Sequence, residues 1–167
     1  DKEVYNAVSE SIINQGLGIV SILERVWESS NNELAQRRIE TLIHSIQLNS
    51  TVENLTKWVD SGARDILEGA FYLSLFQYPD IQFSNIEKAI EKIRKDVWIE
   101  LNENLTALEK VKILNHIFYE VHGFSSNTTN FFAPQNNYIN QVIETKKGGP
   151  ITLAILYSTV AQRLGLP

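Results

Sequence analysis

Cysteine is absent from all 167 residues, so the chain holds no disulfide, no thiolate metal site and no thiol nucleophile. No apolar run approaches the length of a membrane span, and the opening stretch DKEVYNAVSE lacks the features of a secretory signal. Basic residues are in deficit: 15 Lys and Arg stand against 20 Asp and Glu, a formal charge of -5. Nucleic acids and anionic membranes are bound by basic faces, so neither is an expected partner. Segments of alternating apolar and polar residues, the mark of half-buried strands, are missing as well. The three histidines, His44, His116 and His122, have neither metal-site spacing nor neighbouring acids that suggest a site. Each is expected on a surface or helix face, and no metal or cofactor is expected. The first residue is not Met and the last follows a helix-stop signal, which gives the expectation of a piece of a longer, cytoplasmic protein.

What is present is apolar residue at helical spacing, 43% of the chain, enough for a core in one domain or a little more. Val4, Tyr5, Val8 and Ile12 share a stripe that Gln15-Gly16-Leu17-Gly18 breaks, and a second helix is expected from about Ile19 to Glu28. Ser30-Asn31-Asn32-Glu33 has the capping-box pattern and predicts a third helix to about Gln47. Ser50-Thr51-Val52-Glu53 repeats that pattern and predicts a separate fourth helix, which Asp60-Ser61-Gly62 interrupts. An apolar helix then runs from Ile66 through Phe76 and ends at Tyr78-Pro79-Asp80. Ser84-Asn85-Ile86-Glu87 is expected to cap a long amphipathic helix carrying Ile86, Ala89, Ile90, Ile93 and Val97, and Thr106-Ala107-Leu108-Glu109 to cap the next, which Gly123 stops. Residues 124–135, FSSNTTNFFAPQ, have no period and form the longest loop. The expected fold is all-α, a multi-helix array, divided into a helical lead-in over 1–60, in which a HEAT-like hairpin is one reading, and a second region over 61–167.

The stretch from Asn136 to Pro167 organises the rest. A basic, glycine-rich loop leads to a helix opening on Pro150, which suits a first helical position because it has no N–H to satisfy and its ring sets φ. From Ile151 to Leu164 apolar groups cover most of the circumference, so the helix is expected to be buried, with Ile151, Ala154, Ile155 and Val160 inaccessible. Gly165 and Pro167 terminate it. Its N-terminus directs free N–H groups and the positive end of the helix dipole at the Gly148-Gly149 loop.

The run LEGAFYLSLFQYPD, followed by NYINQVIETKKGGPITLAILYSTVAQRLGLP, resembles the bacterial transglutaminase-like proteins of the SirB type. Asn137, Asn140, Val142, Gly148, Pro150, Ile151, Thr152, Leu153, Arg163, Leu164, Gly165 and Pro167 fit the family's signature, and the resemblance extends from about Glu68 to the end. It implies that residues 61–167 are the helical part of a transglutaminase-like α+β domain. It also implies that a nucleophilic cysteine would stand where this chain has Pro150, with a histidine and an acid on strands following Pro167. Proline offers no nucleophilic atom, and all three histidines precede the helix.

The candidate pocket is therefore Asn137, Asn140, Gly148, Gly149, Pro150 and Thr152, with no catalytic residue assigned. Each member has a plain reading beside the functional one. Pro150 is a good first helical residue or part of a remodelled binding site. Asn137 and Asn140 either brace the glycine loop by hydrogen bonds or contact a ligand. Lys146 and Lys147 read as a solvated turn, and Thr152 is a hydroxyl without an evident base. Four matches to the glycosylation acceptor pattern, at Asn49, Asn54, Asn104 and Asn127, read as chance together with helix capping. The expected function is a non-catalytic transglutaminase-like module that binds a protein or peptide partner or plays a regulatory role. The alternative is an acyl-transfer or amide-hydrolysing enzyme whose catalytic groups lie outside this chain.

Overall fold

The computed structural model describes residues 2–166, and Pro167, expected to end the last helix, lies outside them. The chain is predominantly helical, as its periodicity requires, and forms two compact units. One comprises the residues up to Gly62 together with Leu75–Pro79, the other Ala63–Ser74 and the residues from Asp80 onward.

In the first unit, α1 (Lys2–Ile13), a 3-10 turn (Gly16–Ile19) and α2 (Val20–Ser29) pack on a single long helix, α3 (Glu33–Asp60). Their core is Leu23 with Ile39, Leu42 and Ile46. Two expectations are corrected. The cap of α3 is Asn32, not Ser30: Asn32 Oδ1 accepts from the amides of Leu34 and Ala35 at 2.9 and 3.1 Å. The capping pattern at Ser50 opens no new helix, because α3 runs straight through it for 28 residues. Neither Gly nor Pro interrupts residues 47–53, and hydroxyls along α3 turn back onto the carbonyl four residues earlier instead of capping. Thr41, Ser45 and Thr56 all do so, at 2.8–2.9 Å.

In the second unit, α4 (Ile66–Leu75), α5 (Phe83–Glu100), α6 (Ala107–Asn115), α7 (Ile139–Thr145) and α8 (Pro150–Arg163) enclose one core. The helix α5 starts at Phe83 behind Gln82, slightly earlier than its serine suggested, and buries Ile86, Ile90, Ile93 and Val97 as expected. Thr106 forms the expected capping box, with Glu109 accepting from the Thr106 amide at 2.8 Å. A π-helical segment, His116–Val121, follows α6 without a break, and its wider turn brings the consecutive Ile117 and Phe118 both inward. Gly123, at φ +74°, then ends the run as its position suggested.

The long loop after Gly123 contains a short strand, β1 (Ser125–Ser126), which pairs in parallel with β2 (Lys147–Gly148) just before α8. This two-residue ladder is the sheet content of the described residues. Ser74, fully buried on α4, ties α7 down: its hydroxyl donates to the Ala70 carbonyl at 2.9 Å and accepts from the Ile139 amide at 3.0 Å. That amide opens α7, whose own N-cap Tyr138 supplies no side-chain cap. Ser74→Ala leaves a buried N–H unsatisfied and is expected to lower stability by about 1–3 kcal/mol in urea melts. An unchanged midpoint would show that this contact carries no weight.

The helix α8 departs from the expected all-round burial. Thr152, Leu153, Leu156, Thr159, Val160 and Ala161 are buried, but Ile151 is 73% exposed, Ala154 is exposed and Ile155 half-buried. Of the four residues expected to be inaccessible, Val160 alone is. The apolar circumference is divided: one stripe enters the core, while Pro150, Leu153, Ala154, Tyr157 and Ser158 line a surface cleft. A Schellman motif closes the helix, with Leu166 N bonded to Ala161 O and Gly165 N to Gln162 O, both at 3.0 Å, and Gly165 at φ +66°. No helix among the described residues is long and apolar enough to cross a membrane.

Candidate functional site

The site is built on the entry to α8. Gly148 pairs with Ser126, is buried, and has no room for a side chain: a Cβ there would lie 2.7 and 2.9 Å from the two methyls of Val142. Gly149 is also buried but meets nothing closer than 3.4 Å, and serves as an extended N-cap at φ -76° and ψ 160°. Its amide donates to the Asn136 carbonyl at 2.9 Å. No side chain caps the first turn of α8, and Pro150 takes its first position, as expected.

Asn136, which nothing in its sequence context singles out, is what braces this loop. It is buried, and its Nδ2 donates to the carbonyls of Asn130 and Phe131 at 2.8 and 2.9 Å while its Oδ1 accepts from Asn127 Nδ2 at 2.9 Å. With its carbonyl on Gly149, this one asparagine joins the long loop, the turn before α7 and the start of α8. The bracing role expected of Asn137 and Asn140 therefore belongs to Asn136 in the hydrogen-bonding pattern. Asn137 is exposed, with its Oδ1 beside Gly149, and Asn140 is half-buried with an Oδ1 that is enclosed and finds no partner. Three asparagines within five residues give no sign of which one points inward. Position relative to the 3-10 turn Pro134–Asn137 decides it.

The cleft has a volume of about 470 Å³ and is lined by Tyr119, Ser126, Phe131, Pro150, Leu153, Ala154, Tyr157 and Ser158. Of the six candidate residues, Pro150 alone lines it; Gly148, Gly149 and Thr152 are buried beneath the entry to α8. Tyr119 and Tyr157 stack with centroids 5.9 Å apart, and Tyr157 donates its hydroxyl to Asn115 Oδ1 at 2.7 Å. Burial and the neighbouring Tyr119 push the Tyr157 phenol pKa up, which keeps it a neutral donor. Phe131 projects from the long loop and Phe132 beside it is 91% exposed.

The histidines, carboxylates and lysines lie elsewhere. His122 contradicts its expected surface placement: its side chain is 10% exposed and its Nε2 meets Asp96 Oδ2 at 2.8 Å, tying the end of the π segment to α5. The partners are 26 residues apart, beyond any local pattern. His116 bonds Glu120 at 2.9 Å on an exposed face, and His44 lies against Phe76 in the other unit. Lys146 is not a solvated turn residue either. It caps α7 in the left-handed conformation at φ 61°, is half-buried, and holds its ammonium 4.5 Å from the Phe124 ring centroid. Burial, with the charge of Lys92, pushes its pKa down. Lys147 is exposed and donates to Ser125 Oγ. No histidine or carboxylate lines the cleft, and no group of three or more metal-ligating side chains occurs among the described residues.

The second unit thus sets a tight glycine loop at the entry to α8, beside an open cleft with an apolar and aromatic lining. The family follows from the sequence: the profile described as "Transglutaminase-like superfamily" matches residues 84–167, half of the chain, and the chain belongs to that superfamily. Among curated relatives, a UPF0162 protein of Xylella fastidiosa strain Temecula1 is 28% identical over 109 residues, 65% of this chain and 39% of the relative. A UPF0162 protein of Vibrio cholerae is 26% identical over 108 residues, covering 65% of this chain and 40% of its own length. F-box only protein 21 of Mus musculus is 27% identical over 123 residues, 60% of this chain and 20% of that protein. The matched stretch thus spans about two fifths of the bacterial relatives. No solved structure matches the chain.

Proposed function

We propose that this domain is a non-catalytic member of its superfamily, of the SirB type, which binds a segment of a protein partner in the cleft beside Pro150. The observation that carries this reading is the composition of the cleft: two stacked tyrosines, Phe131, Pro150 and Leu153, with no imidazole, carboxylate or thiol among the lining residues. Acyl transfer in the superfamily needs a thiolate at the start of this helix and a base beside it. Here the helix start is a proline. An apolar, aromatic cleft with the hydroxyls of Ser126 and Ser158 at its edge suits instead an extended peptide that inserts an apolar side chain. The exposed Phe132 at the rim supplies further apolar area to a partner.

The test is selection of binding peptides from a displayed library, followed by titration against Ala154→Trp, which fills the cleft from an exposed position. Selected peptides are expected to lose at least tenfold in affinity for the variant while its thermal melt is unchanged. Undiminished binding would move the site elsewhere. Amine incorporation or amide hydrolysis by the unaltered protein would overturn the non-catalytic assignment.

A further inference from the structure

A second surface, separate from the cleft, has a charge the composition does not suggest. The exposed face of α5 carries Lys88, Lys92 and Lys95 at spacings of four and three residues, so that all three project to one side. With Arg163 from the end of α8 they line a groove of about 600 Å³. The groove also contains Glu87 and Glu91, but each is already engaged: Glu91 holds Arg94 through two bonds of 2.7 Å, and Glu87 meets Arg163 at 3.4 Å. None of the three lysines takes part in an ion pair among the described residues. Lys146 lies near enough for its ammonium and that of Lys92 to repel each other. Lys88, Lys92, Lys95 and Arg163 outnumber the two carboxylates of the groove, and like charges so gathered raise each other's energy, in a protein whose overall charge is -5.

We infer that this groove is a docking site for an acidic, extended segment of a protein partner, held by Lys88, Lys92 and Lys95. The spacing favours a peptide. Along the helix axis Lys92 lies about 6 Å and Lys95 about 10 Å from Lys88. Side chains on one face of an extended strand recur at roughly 6.5–7 Å, so carboxylates at alternate positions come into register with the first two lysines and within reach of the third. The paired glutamates set among the lysines interrupt the positive face, which disfavours the continuous phosphate charge of a nucleic acid or the uniform plane of an anionic bilayer. The attraction is between exposed charges and weakens with added salt.

The experiment uses the 167-residue chain and fluorescence anisotropy of a labelled peptide with glutamates at three alternate positions, beside its glutamine counterpart. The acidic peptide is expected to bind at least tenfold more tightly than the neutral one at low salt. Lys88→Glu with Lys92→Glu should lower its affinity at least tenfold. The control Lys110→Glu with Lys112→Glu, which changes net charge by the same amount on α6, should stay within twofold. Equal losses in both double variants would reduce the effect to net charge and overturn the site, as would tighter binding of a DNA oligonucleotide or of phosphatidylglycerol vesicles. Should the charge reversal unfold the protein, Lys88→Gln with Lys92→Gln replaces it, and undiminished binding by that variant would equally overturn the site.

Discussion

Leu156→Ala is expected to lower the unfolding free energy by about 2–5 kcal/mol, and Ile155→Ala by only about 1 kcal/mol. Leu156 is fully buried in the core of the second unit, among Val160, Val142 and Ile90 of the same cluster. Truncation there removes three carbons from close packing and leaves a void that rigid helices on every side cannot collapse into. Ile155, its neighbour, is half-buried and only borders that core, so water already touches part of what would be lost. Urea denaturation followed by far-UV circular dichroism separates the two. Equal costs would mean that α8 is covered on both faces.

The second large effect is placed at Asn136. Asn136→Ala removes the acceptor of Asn127 and the donor of the Asn130 and Phe131 carbonyls, three hydrogen bonds at a buried position. At about 1 kcal/mol for each bond, and more where a partner stays enclosed, the expected loss is about 2–4 kcal/mol. The cleft should suffer beyond that, because Phe131 is positioned by the bond its carbonyl receives. Asn137→Ala, at an exposed site one residue on, should cost less than about 0.5 kcal/mol. If the two variants melt together, the loop is held by its backbone alone.

These two comparisons mark the boundary of what could be read before the fold was known. Helical periodicity placed α5 and its four buried residues, the Thr106 capping box, and the stop at Gly123, because each depends on residues within one or two turns. The side of α8 facing the core was not legible. Apolar residues surround that helix, and which half is buried depends on α5, far away in the sequence, and on α7. The same holds for His122, whose partner is on another helix, and for the asparagine that holds the loop. The capping pattern at Ser50 misled for a different reason: the motif also occurs inside helices, and α3 runs through it unbroken. The apolar lining of the cleft combines residues from the π segment, the long loop and α8, so no single window of sequence contains it.

The ladder between β1 and β2 ties the long loop to the entry of α8 at the wall of the cleft. The amides of Ser125 and Asn127 bond to the carbonyls of Lys146 and Gly148, at 2.9 and 3.2 Å, and the amide of Gly149 to Asn136. Separating the strands frees the first two donors, and the third is held next to them by the Asn136 carbonyl. Hydrogen exchange at these amides should therefore proceed at one common rate, set by a sub-global opening and faster than exchange in α5. A peptide seated beside Pro150 would slow the three together, so that occupancy of the cleft becomes measurable from backbone amides that the peptide itself never touches.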